Sequence, residues 1–258
     1  MFKMTLLGLA VALGAILTGQ VLEGASLALL FQPTALLIVF GGTLGAILVQ
    51  SSPSDFKLAF RLLAWLRTSP VQEENVNIKE ITAWARLAHR ESALKLDGLT
   101  AGISDSLLRN GLEMVVDRFD PAYIRETMLM ELKVRDSRMR SAIKVWESAA
   151  GYAPTIGILG SVMGLLHVMS NMQDAAAVGP GLAVSFVATF YGLGLANLVF
   201  LPVAGKLKGI LFELTLRDEM RIEGLGMIAE NKQPQLVEKT LRSFGAERSS
   251  GVPLRRVA

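Results

Sequence analysis

The sequence predicts an all-α membrane protein that crosses a bilayer four times and carries a large helical cytoplasmic loop. Hydrophobic residues make up 51% of the 258-residue chain and its mean hydropathy is +0.43, which is too apolar for an ordinary soluble protein. Four stretches without Asp, Glu, Lys or Arg are long enough to span the hydrocarbon core, which takes about 20 apolar residues. Outside these stretches the apolar residues recur at helical spacing, with no strand-like alternation of note.

The four spans divide the chain into alternating membrane and cytoplasmic regions. We expect the spans near residues 4–22, 34–51, 149–171 and 182–204. The regions are therefore a first pair of membrane helices at 1–51, a cytoplasmic region at 52–147, a second pair at 148–205 and a C-terminal cytoplasmic segment at 206–258.

The distribution of basic residues sets the orientation of the spans. Of the 26 Lys and Arg residues, one precedes the first span, fifteen lie within 52–147 and ten follow residue 205. The two short connections, around 23–32 and 174–181, contain none. Because cytoplasmic loops are enriched in Lys and Arg, both termini and the large middle region are expected to be cytoplasmic.

The cytoplasmic region is expected to be helical. Residues 55–67 have an amphipathic pattern typical of a helix lying near the membrane, and 68–77 is typical of a linker. Helices are expected over 78–96 and 104–118. A fourth helix should begin at Asp120-Pro121, because an N-cap Asp followed by a first-turn proline is a start signal, and it should continue into the third span without a break.

The C-terminal segment is expected to contain one charged helix and a tail. The helical pattern covers 206–244 and is interrupted at Pro234. Residues 245–258, rich in Ser, Gly and Arg, are expected to be disordered.

Small residues cluster on one face of the third span. At 100° per residue, Gly157, Gly160 and Gly164 fall within one narrow arc, and Ser161 lies at its edge. Pro154 precedes the arc and can kink or hinge the helix, because it frees a backbone carbonyl. Such a face can line a path for another chain, or it can simply pack against a second helix of this chain.

The fourth span repeats this pattern with a hydroxyl at a matching depth. Its small face bears Thr189 on its border, and counting from the cytoplasmic boundaries puts Ser161 and Thr189 within a few Å of the same level. Two hydroxyls could therefore face a common cavity, or each could bond a carbonyl one turn back. The small face comprises Gly181, Ser185, Ala188, Gly192 and Ala196.

No span carries a carboxylate, Lys or Arg, although proteins that move ions through a membrane usually need such a group. If this chain moves ions, another polypeptide must supply the carboxylate, and the two small faces would suit its helix. His167 is the one histidine at membrane depth, and a wetted structural role is favoured over a relay role.

Residue patterns for catalysis or tightly bound groups are missing from the sequence. It has no cysteine, two distant histidines, no phosphate-binding loop and no nucleophile elbow. We expect no enzymatic activity, no cofactor, no metal site and no nucleic-acid partner. The sequence His89-Arg90-Glu91 followed by Asp97 is, by residue type alone, typical of a solvated helix end.

The motifs of the second, third and fourth spans resemble those of MotA/PomA, the flagellar stator channel subunits. The resemblance covers essentially the whole chain, including the order of four spans with a large loop after the second. The matching motifs are Pro33-x-x-Leu36 through Gly41-Gly42-Thr43, Ala153-Pro154-Thr-Ile-Gly157-Ile, Gly179-Pro180-Gly-x-Ala183-Val, Ala188-Thr189-Phe-Tyr191-Gly192 and Leu201-Pro202-Val-Ala-x-Lys206-Leu.

The resemblance implies a bacterial inner-membrane assembly with two kinds of partner. Five copies of this subunit would surround two copies of a MotB-like protein, whose single membrane helix bears an Asp and whose periplasmic domain binds peptidoglycan. Ion passage at that Asp would turn the ring, and the cytoplasmic loops would push the rotor protein FliG.

The resemblance also implies roles for individual residues. Pro154 and Pro202 would couple ion flow to movement, and Thr189 would face the partner's Asp. His89 or Arg90 with Asp97 would contact the rotor. The family's loop usually has further acids just beyond this point, where this chain has Gly98 and Thr100, so the acidic half of that contact departs from the pattern.

The identity of the ion rests on Ser161. The corresponding position is typically threonine in sodium stators and alanine in proton stators, and serine departs from both. Its hydroxyl could ligate sodium, but the segment that follows it, ending at His167, looks more like proton-driven members, so we expect protons. The alternatives are a sodium-driven stator, a TolQ/ExbB-like energiser of envelope transport with three spans, and a membrane scaffold without transport.

Overall fold

The computed structural model describes residues 2–24, 26–70, 74–173 and 175–250, and within these ranges all regular elements are helical. The predicted all-α class is therefore confirmed. The α-helices are α1 (Phe2–Leu22), α2 (Pro33–Gln50), α3 (Pro53–Leu62), α4 (Ala64–Arg67), α5 (Glu74–Glu91), α6 (Asp97–Thr100), α7 (Ser106–Val116), α8 (Pro121–Ser170), α9 (Ala175–Gly194), α10 (Leu201–Ala229) and α11 (Pro234–Ser250). Shorter 3₁₀ turns cover Leu27–Leu30 and Ala93–Leu96, and a π-helical segment covers Leu195–Phe200.

Four of the described helices are long and apolar enough to cross a membrane. They correspond in order to the four predicted spans: α1, α2, the apolar part of α8, and the apolar part of the helical run from Val178 to Ala229. The fold class of a four-span membrane protein with a large helical region is thus confirmed.

Prolines and small polar caps explain where several helices begin. Pro33 and Pro53 each occupy the first turn of a helix, where a missing N–H is tolerated. Asp120 caps α8 as predicted, because its Oδ2 accepts hydrogen bonds from the backbone amides of Ala122 at 3.0 Å and Tyr123 at 3.2 Å. From this cap α8 runs for 50 residues through Pro154, in agreement with the predicted single long helix.

Two sequence expectations outside the spans differ from the structure. The helix expected from residue 78 already begins at Glu74, so the linker is shorter than the predicted 68–77; residues 71–73 of it lie outside the described ranges. The tail expected to be disordered from 245 is helical to Ser250, because α11 extends unbroken from Pro234; residues 251–258 lie outside the described ranges.

Residues of the chain form two compact units, of which the first is Met1–Ser69 with Arg138–Gly209. In this unit α2 packs on α9 through the buried side chains of Ala35, Val39 and Val187. The amphipathic helix α3 buries Ala59 and Leu62. Trp146 donates its indole N–H to the Ala59 carbonyl at 3.2 Å, which ties α3 to α8.

The second unit comprises Pro70–Ser137 and Ile210–Ala258. Its core is apolar, with large side chains such as Ile81, Leu112, Ile124 and Leu225 that are almost fully buried. It also contains a largely buried ionic cluster, defined as Asn77, Asp105, Arg135, Arg217, Asp218 and Arg221.

Candidate functional site

The small faces of the third and fourth membrane helices pack against each other. A Cβ atom added at Gly157 would lie 2.9 Å from the Ala188 carbonyl oxygen, and one added at Gly192 would lie 3.1 Å from the Gly157 Cα. A Cβ at Gly160 would lie 3.0 Å from the Cβ of Ala188. The backbones of α8 and α9 therefore approach so closely that only small residues fit between them.

Three of the predicted site residues, Gly157, Gly164 and Ser185, are buried in this helix–helix contact. A Cβ at Gly164 would lie 3.0 Å from the Ser185 amide nitrogen, and the Ser185 hydroxyl donates to the Gly181 carbonyl at 3.0 Å. The close approach agrees with helix packing as the role of the small faces. The hydrogen bond agrees with the alternative that a membrane serine bonds a carbonyl one turn back. These three residues thus contact their own chain and do not lie on a face open to another one.

Helix geometry places Ser161 and Thr189 at the same edge of this contact. Gly160 and Ala188 face each other across it, and Ser161 and Thr189 are the next residue on each helix. Because the two helices are antiparallel, a further 100° turn on each carries both residues to the same side, about 3 Å apart in height. Both are half-buried, and in the part of the chain that the structure describes neither hydroxyl has a hydrogen-bond partner.

The two prolines of the predicted site occupy different environments. Pro154 is half-buried inside α8, and Pro202 is exposed in the first turn of α10. Directly before Pro202 the fourth membrane helix widens into the π-helical segment, where the Leu201 amide donates to the Ala196 carbonyl five residues back. A proline ring clashes with the carbonyl four residues before it, and a π turn provides the extra room.

Three features of this region were not predicted from the sequence. Asn197, within the π-helical segment, is exposed and donates to the Leu193 carbonyl at 2.9 Å. A polar amide side chain within a predicted membrane span is uncommon, and this could have identified Asn197 from the sequence. The π turn and the hydrogen bonds of the Tyr191 hydroxyl depend on contacts that residue spacing does not encode.

The residues implied as rotor contacts lie in the second unit. His89 and Arg90 are exposed in the last turn of α5, and the His89 Nδ1 lies 3.2 Å from the Asn231 Oδ1. Asp97 is exposed at the start of α6. Within the described ranges no group of three or more His, Asp or Glu side chains is arranged to hold a metal ion.

His167 lies near the end of α8 and is exposed. Its carbonyl accepts hydrogen bonds from the Ser170 hydroxyl at 2.9 Å and from the Asn171 side-chain amide at 2.8 Å. These bonds satisfy a carbonyl in the last turn of the helix, which otherwise has no intrahelical partner.

Sequence families match both halves of the chain. Residues 6–90 match the family described as Motility protein A N-terminal, and residues 100–220 match the MotA/TolQ/ExbB proton channel family. The chain is 31% identical to Motility protein A of Bacillus subtilis (strain 168) over 95% of this chain and 91% of the relative. It is 28% identical to Chemotaxis protein PomA of Vibrio alginolyticus over 93% of this chain and 94% of the relative.

Two solved structures share the fold. C. jejuni MotAB superposes with a TM-score of 0.88 at 25% identity, covering 95% of this chain and 96% of that one. The flagellar MotAB stator complex from Bacillus subtilis superposes with a TM-score of 0.84 at 30% identity, covering 97% and 100%. These relatives are stator subunits in a family of ion channels, which confirms the expectation that the chain is not an enzyme. The chain belongs to the motility protein A family of flagellar stator subunits.

Proposed function

We propose that this chain is the channel subunit of a flagellar stator, and that with a MotB-like partner it couples inward proton flow to torque on the rotor. The observation that carries the proposal is the pair of hydroxyls, Ser161 and Thr189, at one edge of the α8–α9 contact. They lie at nearly the same depth, on the same side, and neither is used by a hydrogen bond among the described residues.

A partner helix completes this site because the spans hold no carboxylate of their own. An Asp on the partner's helix would carry the proton, and the hydroxyls of Ser161 and Thr189 would donate hydrogen bonds to it when it is ionised. Hydrogen bonds to a charged group are about twice as strong as neutral ones. The solved relatives are MotAB structures, which supports a MotB-like partner.

The assembly we propose is a fivefold ring of this chain around two partner chains, in the bacterial inner membrane with both termini cytoplasmic. The concentration of Lys and Arg in 52–147 and after residue 205 supports this orientation. The match of residues 6–90 to the Motility protein A N-terminal family favours a stator over a TolQ/ExbB-like energiser.

Movement would pass from the ion site to the rotor protein FliG through the two proline-containing helices. Pro154 and Pro202 each remove a backbone hydrogen bond, which makes these points of the helices easier to bend. The exposed side chains of His89, Arg90 and Asp97 are the proposed rotor contacts.

Replacing Thr189 by Val tests the ion site, because it removes the hydroxyl and keeps the shape of the side chain. Loss of a hydrogen bond to a charged group costs about 1.5–3 kcal/mol, so ion passage through each stator should slow about tenfold or more, and rotation should slow with it. The measurement is rotation of tethered cells, with the amount of stator in the membrane determined in parallel.

Thr155→Val is the matched control, since its hydroxyl is exposed on α8 and donates to the Tyr152 carbonyl at 2.8 Å. We expect this variant to rotate as the unmodified protein does. Normal torque in Thr189→Val would contradict the proposed ion site.

Swimming speed at varied external sodium and fixed membrane potential tests the choice of ion. We expect the speed to be independent of sodium, because the segment that follows Ser161, ending at His167, resembles proton-driven members of the family. Replacing sodium by potassium at constant ionic strength is the control, and a strong dependence on sodium would reverse the assignment to protons.

A further inference from the structure

Tyr191 on α9 makes two hydrogen bonds to the chain segment that precedes α2. Its hydroxyl donates to the Leu30 carbonyl at 2.5 Å and accepts from the Gln32 backbone amide at 3.3 Å. Leu30 ends a 3₁₀ turn, and Gln32 is the N-cap of α2 but makes no capping bond with its own side chain. One phenol thus satisfies a carbonyl and an amide at a point where the backbone has left one helix and not yet entered the next.

The tyrosine lies on the opposite side of α9 from Thr189. The two residues are two positions apart, which corresponds to 200° around a helix at 100° per residue. Tyr191 packs beside Val187 and Val39 in the contact with α2. Its hydrogen bonds therefore hold α9 from the side that faces away from the hydroxyl pair.

The contact between α8 and α9 excludes large rotations of α9, because only its small face fits there, but it restrains small rotations less strongly. It consists of glycine, alanine and serine, such as Gly157, Gly192 and Ala188, which offer no large side chain to interlock. A contact of this kind allows close approach of the backbones, and with no side chain longer than that of serine it holds small rotations of the helix less firmly than interlocking side chains would. Directional hydrogen bonds from Tyr191 distinguish one rotation from the others.

We propose that Tyr191 is a positioning residue, which sets the rotation of α9 about its axis so that Thr189 points toward the partner's carboxylate. The inference rests on the proposed function for Thr189 and adds to it the residue that orients the hydroxyl. Tyr191 does not itself touch the ion or the partner.

The test uses Tyr191→Phe in the complete stator, because phenylalanine retains the ring and loses only the two hydrogen bonds. Loss of each hydrogen bond shifts an equilibrium between two rotations by up to about tenfold, and two are lost here. We expect torque per stator to fall severalfold while the amount of stator in the membrane stays normal. Tyr152→Phe is the control, since the Tyr152 hydroxyl donates to the Gln50 side chain at 2.8 Å and is not part of α9.

A second readout reports rotation directly. The chain has no cysteine, so single cysteines introduced as Thr189→Cys or Phe190→Cys can be labelled with a maleimide without background. Adding Tyr191→Phe should change the ratio of labelling at these two positions, whereas adding Tyr152→Phe should not. An unchanged ratio, or a loss of torque that merely follows a loss of stator from the membrane, would overturn the positioning role.

Failure of this inference can be distinguished from failure of the proposed function. If Thr189→Val abolishes torque and Tyr191→Phe does not reduce it, the ion site stands and the positioning role is wrong. If Thr189→Val has no effect, the proposed function fails whatever Tyr191→Phe does.

Discussion

Gly192→Ala is expected to prevent assembly of a working stator. A Cβ at this position would lie 2.5 Å from the Ala153 carbonyl oxygen and 3.1 Å from the Gly157 Cα. Both neighbours are backbone atoms of a long continuous helix, so neither can rotate aside as a side chain could. Overpacking of a close contact costs about 1–3 kcal/mol, and more where the backbone must move. We expect less stator in the membrane, a lower melting temperature in detergent and no motility.

Gly194→Ala provides the matched control on the same helix. Apart from its chain neighbours and the backbone of its own helix, no atom lies within 4 Å of the position that its Cβ would occupy, and alanine favours a helix more than glycine does. This variant should assemble and swim normally. The packing account would be contradicted if the two variants behaved alike, or if Gly192→Ala retained normal stability.

The spans and the long helix could be predicted from the sequence because each depends on local information. Charge-free runs fix the four membrane helices, and the Asp120 cap with no later breaker fixes the start and continuity of α8. The arc of small residues was also predictable, since it follows from 100° per residue. The helix that packs on this arc could not be predicted, because residue spacing on one helix does not identify its neighbour.

The sequence also did not distinguish the hydroxyls of Ser161 and Thr189 from that of Ser185. Counting residues from the membrane boundary gave Ser161 and Thr189 matching depths, and the contact of Gly160 with Ala188 brings them to the same edge. Ser185 has the same residue type on the same small face, yet its hydroxyl is used by the Gly181 carbonyl. Only the packing of α8 on α9 separates the buried hydroxyl from the two at the edge.

The ionic cluster in the second unit could not be predicted from the sequence either, because its burial depends on contacts between helices. Charged residues in helices usually face solvent, and Asp218 and Arg221 follow no pattern that marks them as buried. They are nevertheless 2% and 6% exposed. Burial raises the pKa of the Asp218 carboxyl above its usual range, although Arg217 opposes this, and burial lowers the pKa of the Arg221 guanidinium.

Arg221→Met is expected to be the most destabilising charge substitution in this unit. The guanidinium donates to the Asn77 side-chain oxygen at 3.1 Å and to the Asp105 carboxylate at 3.3 Å, and it lies 3.5 Å from the Asp218 carboxylate. Removing one partner of a buried ionic group costs about 3–5 kcal/mol, because the remaining charge stays buried without compensation. Thermal unfolding of the purified protein in detergent should show a clearly lower midpoint. Arg242→Met is the control, since that exposed pair with Glu238 should contribute nothing measurable.

The pH dependence of this variant separates loss of charge from loss of packing. Without Arg221 the pKa of Asp218 should rise further, because one of the cations that favour its ionised form is gone. An acid whose pKa is raised by folding stabilises the folded state below its unfolded pKa of about 4 and loses that contribution as the pH rises through the raised value. The stability deficit of Arg221→Met relative to the unmodified protein should therefore shrink as the pH is lowered from neutral toward 4. A deficit that stays constant with pH would mean that Arg221 acts through the packing of its side chain, and Arg221→Lys, which keeps the charge, would then restore no stability.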